Sequence, residues 1–168
     1  EINYIDITGN PAHQLQTPII TTNPYKNNIN PTNKCLYARS NQNEASGIPG
    51  WFANNILITL KDTIDIYESN KYLHMMHWKE RVLNTWLVYG SIDGVNYEEL
   101  GRGICPEAGK WFDIVVDVSS KLQRIKHIRI HLDGNWGGVP APRYYAPTNF
   151  YYDEIVFSNI FAPRVQIT

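Results

Sequence analysis

Apolar residues along this chain recur at every second position rather than at the spacing of a helix. This alternation predicts strands, because successive side chains of a strand point to opposite faces. We find no convincing helix. We expect strands at 2–7, 18–21, 34–39, 56–60, 72–78, 85–91, 97–100, 111–118, 125–132 and 150–157.

The segments between these strands are rich in proline, glycine and asparagine, as in "TTNPYKNNINPTN" and "SIDGVN". These residues favour turns, and the Asp93-Gly94 pair marks one directly after a predicted strand. Many short strands at this spacing predict an all-β sandwich. We see no repeat and no linker, so we expect a single domain, 1–168. Its start at Glu1 is typical of a trimmed protein or of a domain excised from a larger one.

The strand "KHIRIHL" shows two clear faces. Its isoleucines and leucine alternate with charged and polar residues, so one face is expected in the core. The opposite face carries a polar row of His127, Arg129 and His131. We expect this row to be solvated surface, and the alternative is part of a ligand-binding face.

The composition argues against several classes of function. The formal net charge is -1, so no charge imbalance points to nucleic acid or to an anionic membrane. No apolar run reaches the length of a membrane-spanning helix. Cys35 and Cys105 are expected to be free, buried thiols. A disulfide between them is the alternative in an oxidising compartment.

Catalytic motifs are absent from the sequence. There is no G-x-S-x-G, H-E-x-x-H or C-x-x-C, and no glycine-rich phosphate loop. His74 and His77 point to opposite faces of their strand. Asp113 and Asp117 share a face but lie about 13 Å apart, too far for the carboxyl pair of a glycosidase. Two different strands could still supply such a pair, so an enzyme is disfavoured rather than excluded.

Several segments come in an order that resembles a known family: "TTNPYKNNINPTNKCLYAR", "KYLHMMHWKE", "GKWFDIVVDVS", "IKHIRIHLD" and "YYDEIVF". From Asn23 to Phe157 they are similar to the galactose-binding-like β-jelly-roll domains of Bacteroidetes surface and secreted polysaccharide-utilisation proteins. "WLVYGSIDGVNYEEL" also resembles the discoidin-type pattern, in which a strand ends in Ser-x-Asp-Gly and an aromatic residue follows. The resemblance implies a jelly roll of two antiparallel sheets.

The resemblance also implies a non-catalytic carbohydrate-binding module that is extracellular, on the cell surface or periplasmic. Sugars stack on aromatic rings and bridge to polar side chains. The loop "DGNWGGVPAPRYYAPTN" is long for a hairpin connection, and long loops are often functional. The expected ligand-binding residues in this loop are Trp136, Arg143, Tyr144, Tyr145, Asn135 and Asp133. The alternative is that its rings fold back to cap the core.

Two further tryptophans are candidate ligand-binding residues. Trp51 follows "SGIPG" and is expected either at a loop tip near the site or at the edge of the core. Trp78 ends a strand and is expected either to line a binding edge or to pack under the next loop. Trp86 and Trp111 are expected in or beside the core.

No cofactor is required by this reading, but the resemblance implies a structural calcium ion. In related jelly rolls a carboxylate of the last strand joins backbone oxygens around calcium, and Asp153 in "YYDEI" matches that position. Glu1 or Asp6 could serve as its N-terminal partner. We favour the other interpretation of these carboxylates, in which Asp153 or Glu154 pairs with an arginine or caps loop amides.

Two other functions stay open. One is a structural or protein-interaction module that packs against an adjacent catalytic domain of the same polypeptide. The other is a polysaccharide-acting hydrolase whose carboxylates come from different strands. A glycan is the expected partner in the first reading, with no nucleic acid and no membrane insertion.

Overall fold

The computed structural model describes residues 2–8, 16–40, 55–67, 69–80, 85–131 and 148–164. All the predicted strands are present in it. They are β1 (Ile2–Thr8), β2 (Gln16–Thr22), β3 (Lys34–Ser40), β4 (Asn55–Asp65), β5 (Tyr72–Lys79), β6 (Thr85–Ser91), β7 (Glu98–Ile104), β8 (Phe112–Asp117), β9 (Arg124–His131) and β10 (Thr148–Ser158). The described part of the chain contains no helix.

The strands form two antiparallel five-stranded sheets. The first sheet has the order β1-β4-β9-β6-β7, and the second has the order β2-β3-β10-β5-β8. Neighbouring strands within a sheet are mostly distant in sequence, as in a jelly roll. The all-β sandwich expected from the sequence is therefore confirmed.

The hydrophobic core lies between the two sheets. Its centre is formed by alternate residues of β4 and β9, where Ile56, Ile58 and Ile128 are each fully buried. The expected core face of "KHIRIHL" is confirmed for Ile128 and Ile130, while Leu132 lies outside the described residues. Cys35 and Cys105 are buried and unpaired, as expected.

Strand β7 runs further than the sequence predicts. It continues through Gly101 and Gly103 to Ile104, although glycine usually weakens a strand. A Cβ atom at Gly103 would lie 2.7 Å from ring atoms of Trp86. The glycine is therefore required by the close approach of the β7 backbone to the indole.

Strand β10 changes face halfway along its length. Phe150 and Tyr152 point into the core, whereas Tyr151, which lies between them, packs on the outer side of the sheet. A bulge follows Asp153, and Glu154 has a φ of 44°. Beyond the bulge, Ile155 and Phe157 pack against the core. Strict alternation along β10 would put Tyr151, Asp153, Ile155 and Phe157 on one face. They do not share a face, because the extra residue of the bulge reverses which side chains face inward beyond Asp153.

Two segments cover much of the outer face of the second sheet. Segment 23–33 is folded by its asparagines, since Asn27 Oδ1 accepts hydrogen bonds from the backbone of Ile29 and Asn30. It encloses a small second cluster formed by Cys35, Met76, Trp78 and Trp111 with Ile29 and Tyr151. Segment 159–164 is tied to β5 and β8 by His74, Asp113 and Arg164. The outer face of the first sheet is instead contacted by the β6–β7 connection, 92–97.

Candidate functional site

The outer face of the first sheet carries an arginine set against two tyrosine rings. Arg129 lies on β9, the central strand, and is the cross-strand partner of Tyr89 on β6. Its Cζ atom lies 4.1 Å from the centroid of the Tyr89 ring and 4.5 Å from that of Tyr97. All three side chains are partly exposed. We call Tyr89, Tyr97 and Arg129 the arginine–tyrosine cluster.

The guanidinium of Arg129 is not neutralised by a described residue. Its Nε atom is buried and has no hydrogen-bond partner within the described ranges. A buried donor without an acceptor costs about 1–3 kcal/mol. Burial raises the pKa of Tyr97, and the charge of Asp93 adds to this effect while Arg129 opposes it. The cluster is therefore a partly dehydrated surface with unused donor capacity.

Two histidines flank Arg129 on the same face. The Nδ1 atom of His127 lies 3.1 Å from Thr59 Oγ1, and that of His131 lies 3.2 Å from Asn55 Oδ1. Each histidine is two residues from Arg129, roughly 7 Å along the strand. The polar row that we expected to be plain solvated surface is thus partly buried and held by neighbouring side chains.

Two carboxylates near this cluster, Glu99 and Asp93, are already engaged: Glu99 is the cross-strand partner of Tyr89, and the charge of Asp93 acts on Tyr97. Glu99 accepts a hydrogen bond of 2.7 Å from Arg102 Nε, and this bond lowers the pKa of Glu99. Asp93 accepts hydrogen bonds from the backbone of Val95 and Asn96, which lower its pKa well below its usual value. Both carboxylates therefore stay charged, and each already accepts hydrogen bonds from residues of its own loop or strand.

A buried cysteine–histidine pair elsewhere does not have the properties of a catalytic pair. Cys105 Sγ lies 3.8 Å from His77 Nε2. Burial raises the pKa of Cys105, although Lys79 opposes this, and burial lowers the pKa of His77 well below its usual range. The thiol is thus held in its protonated, weakly nucleophilic form.

Most of the site residues predicted from the sequence lie outside the described residues. These are Trp136, Arg143, Tyr144, Tyr145, Asn135 and Asp133 in 132–147, and Trp51 in 41–54. Their positions remain predictions. His131, the last residue of β9, directly precedes the first of these intervals.

Trp78 is described, and it lies in the second cluster beneath segment 23–33. Its side chain is 4% exposed, and the Tyr25 ring stacks on it with centroids 3.9 Å apart. Tyr151 meets the indole edge-on at 5.3 Å. Tyr25 is in turn fixed because its carbonyl accepts a hydrogen bond from Trp111 Nε1. Trp78 therefore packs under a loop, the second of the two positions expected for it.

Oxygen atoms gather around the hydroxyl of Thr32 beside Asp153. Thr32 Oγ1 lies 2.7 Å from Asn30 Oδ1 and 3.1 Å from the carbonyl oxygen of Lys34. It also contacts Asp153 Oδ2 at short range. The Asn30 amide oxygen, the Thr32 hydroxyl, the Lys34 carbonyl and the Asp153 carboxylate are oxygen donors of the kind that calcium takes. Only one of them is a carboxylate, and the described residues contain no group of three or more His, Cys, Asp or Glu that could hold a metal ion.

Sequence reasoning did not assign the two tyrosines of the cluster. Tyr97 is the aromatic residue that follows Ser-x-Asp-Gly in the discoidin-type pattern, so a signal for it was present. Tyr89 sits in an apolar strand, and only the pairing of β6 with β9 places it beside Arg129. No such cross-strand register can be read from one strand alone.

No protein-family profile and no curated protein sequence matches this chain. Solved structures do. A family 11 carbohydrate-binding module from Clostridium thermocellum, in complex with a β-1,3-1,4-mixed-linked tetrasaccharide, aligns with a TM-score of 0.58 at 11% identity over 92% of this chain and 88% of that one. The family 11 module of the cellulosomal cellulase Lic26A-Cel5E of the same organism gives 0.57 at 11% identity over 94% and 89%.

A variant of a family 29 carbohydrate-binding module also aligns, with a TM-score of 0.51 at 8% identity over 92% of this chain and 81% of that one. At such low identities these likenesses concern the fold. No helix in the described part of the chain is long and apolar enough to cross a bilayer. The chain has the β-sandwich jelly-roll fold found in these carbohydrate-binding modules.

Proposed function

We propose that this chain is a non-catalytic carbohydrate-binding module that binds a glycan on the outer face of its first sheet. The observation that carries the proposal is the arginine–tyrosine cluster. It combines two partly exposed rings with a planar donor group on the central strand of that sheet. Pyranose rings present C–H faces to aromatic rings and hydroxyl groups to such donors.

The placement on strands supports this function. Arg129 and Tyr89 belong to paired strands of one sheet, and binding groups on strands are positioned more rigidly than groups on loops. His127 and His131 add hydrogen-bonding groups on either side. The structural neighbours that share the fold are themselves carbohydrate-binding modules, one with a tetrasaccharide bound. The engaged carboxylates Glu99 and Asp93 favour binding without hydrolysis.

The proposal also covers the loop residues and the location of the protein. Trp136 and Tyr144 lie outside the described residues and stay proposed ligand-binding residues of the same module. We also propose that the module is extracellular or at the cell surface, in a discoidin-like protein of a Bacteroidetes polysaccharide-utilisation system, as the ordered sequence segments imply.

Glycan binding is tested by affinity electrophoresis and a glycan array on the purified chain. We expect a polysaccharide to retard the protein. Tyr97→Ala and Tyr89→Ala should each weaken binding about tenfold, which corresponds to roughly 1.4 kcal/mol. Tyr67→Ala is the matched control, because Tyr67 is 59% exposed and contacts Asp65.

Two outcomes would contradict this placement. Folded Tyr97→Ala and Tyr89→Ala proteins that bind as tightly as the parent would remove the site from this face. A Trp136→Ala, Tyr144→Ala double variant would then show whether the loop alone carries binding. No retardation by any glycan would overturn the proposed function.

A second candidate function is packing against an adjacent domain of the same polypeptide. It is favoured by an apolar groove of about 580 Å³ between the edge strands β7 and β8, lined in part by Trp86, Trp111 and Phe161. Ile104 at this groove is 72% exposed. Binding of a separately produced neighbouring domain, lost in Ile104→Lys, together with no glycan binding, would establish this function instead.

We further propose that Asp153 ligates a structural calcium ion together with Asn30, Thr32 and the Lys34 carbonyl. Calcium takes six to eight oxygen ligands, so water molecules would complete the shell. The ion would supply positive charge that joins segment 23–33 to β10. Asp153 also accepts a hydrogen bond of 2.8 Å from the Glu154 backbone, which orients its carboxylate in the bulge.

A further inference from the structure

We propose that the glycan bound at the arginine–tyrosine cluster is acidic, and that Arg129 binds the carboxylate of a uronic acid residue. This inference rests on the proposed function, because it names the class of sugar bound at the same site. It is carried by the unpartnered donors of Arg129 and by the engagement of Glu99 and Asp93 with other residues.

The first step of the argument concerns the unused donors of Arg129. Its guanidinium has five N–H donors in one plane. No described residue accepts from them, and the Nε atom is buried without a partner. The rings of Tyr89 and Tyr97 approach to 4.1 and 4.5 Å and exclude water where they contact the group. The donors therefore gain most from an acceptor that the ligand brings.

The second step concerns the shape of that acceptor. A carboxylate is planar and accepts two parallel hydrogen bonds from a guanidinium, and charge-assisted bonds are roughly twice as strong as neutral ones. A sugar hydroxyl offers one neutral oxygen and cannot reproduce this pairing. The two tyrosines restrict the orientation of the guanidinium, which reduces the conformational entropy lost when the pair forms.

The third step concerns the charge around the site. Arginine 129 is flanked by His127 and His131, and no described carboxylate forms an ion pair with it. Glu99 is held by Arg102, with 2.7 Å between Oε1 and Nε. Asp93 is held by donors of its own turn, including Asn96 Nδ2 at 2.7 Å. An anionic sugar therefore enters this face without displacing an existing ion pair.

The experiment compares each acidic oligosaccharide with its own uncharged form. The probes are oligogalacturonate, oligoguluronate and glucuronoxylan oligosaccharides, each paired with its methyl-esterified form, together with sulfated galactan oligosaccharides. Isothermal titration calorimetry gives the dissociation constant of each probe. We expect at least one acidic probe to bind about tenfold or more tightly than its ester, with affinity falling as NaCl rises.

Variants identify the residue responsible. Arg129→Gln should bring the acid-to-ester ratio close to one. Arg129→Lys should retain part of the preference, because it keeps the charge and loses the planar fork. Arg124→Gln is the matched control, since Arg124 forms an exposed ion pair with Asp65 on the same strand pair. If Arg129→Gln does not fold, the Lys variant and the ester comparison still decide the question.

The outcomes separate this inference from the proposed function. Equal affinity for acid and ester, or preference for neutral glycans, overturns the acidic ligand while glycan binding stands. A preference that survives in folded Arg129→Gln overturns the role of Arg129. Binding only to the sulfated probe overturns the uronic acid. Binding to no glycan at all removes the proposed function itself.

Discussion

At the scale of single residues, Gly103 shows how closely two neighbouring strands of the first sheet, β6 and β7, constrain one another. Three atoms of the Trp86 indole would lie 2.7 Å from a Cβ atom at this position. A contact as short as this forces either the backbone or the ring to move. Packing against the indole therefore requires glycine at this position. From the sequence alone, Gly103 would be expected only to weaken its strand.

We predict that Gly103→Ala destabilises the protein by about 1–3 kcal/mol, because the added methyl group displaces β7 from Trp86. Urea unfolding measures the loss. In a Trp86→Leu background the same substitution should cost less, since the smaller side chain leaves room. An equal loss in both backgrounds would show that contact with the indole is not the cause.

At the scale of elements, segment 159–164 is anchored to the second sheet through one buried carboxylate. The Asp113 side chain is fully buried in its ion pairs with His74 and Arg164. Asp113 Oδ2 accepts hydrogen bonds from Arg164 N and Nε, both at 2.9 Å, and lies 2.8 Å from His74 Nδ1. Arg164 also pairs with Glu154 in the bulge of β10. One arginine thus links β8, the bulge and segment 159–164.

This anchor predicts a dependence of stability on acid pH. Burial alone would raise the pKa of Asp113, but hydrogen bonds from Arg164 and His74 more than offset it, so the pKa lies below 3.8. A carboxyl whose pKa is depressed in the folded state stabilises the fold above the unfolded pKa. That stabilisation is lost as the pH falls through the folded value.

We therefore expect Asp113→Asn to lower the free energy of unfolding at pH 7 by roughly 2 kcal/mol, because hydrogen bonds to a charged group are lost. As the pH falls below about 4, the unfolded pKa of an aspartate, the variant should lose less stability than the parent. Urea unfolding at several pH values measures both effects. Asp62→Asn, an exposed substitution on β4, is the control. If the free energy of unfolding of Asp113→Asn fell as steeply with acid pH as that of the parent, Asp113 would not be the group responsible.

At the scale of the whole molecule, the two outer faces differ in what covers them. The second sheet is covered by 23–33 and 159–164, so its aromatic residues form a second packed cluster. The first sheet presents the arginine–tyrosine cluster on its central strand. The proposed calcium ion would act at this scale, because it joins a covering segment to the strand that completes the sandwich.

We expect calcium to raise the thermal midpoint of the chain. A ligand at one hundred times its dissociation constant stabilises by about 2.7 kcal/mol, which for a domain of this size corresponds to roughly 5–10 °C. Differential scanning calorimetry with 1 mM CaCl₂ and with EDTA measures the shift. Asp153→Asn should abolish the difference, and Asp117→Asn should retain it. Equal midpoints with calcium and EDTA in the parent would refute the site.

The fold class and the presence of all ten strands followed from the sequence alone, whereas the far ends of β4 and β7 did not. The prediction of the strands was possible because period-two burial and turn residues are local signals. The sequence also put His127, Arg129 and His131 on one face, and it favoured buried thiols at the two cysteines over a disulfide without deciding between them. The resemblance of its segments supplied the jelly roll and the expectation of glycan binding.

Only the tertiary structure decided which surface is the candidate site. The bulge at Glu154 reversed the facing of β10, and a single inserted residue leaves no periodic signal until the pairing of β10 with β5 is known. Tyr89 and Arg129 are 40 positions apart in sequence and meet because β6 and β9 are neighbours in register. Trp78 was equally able to bind a ligand or to pack, until segment 23–33 placed Tyr25 on it. Long-range pairing, which depends on the whole chain, brings these residues together, whereas alternation depends only on immediate neighbours.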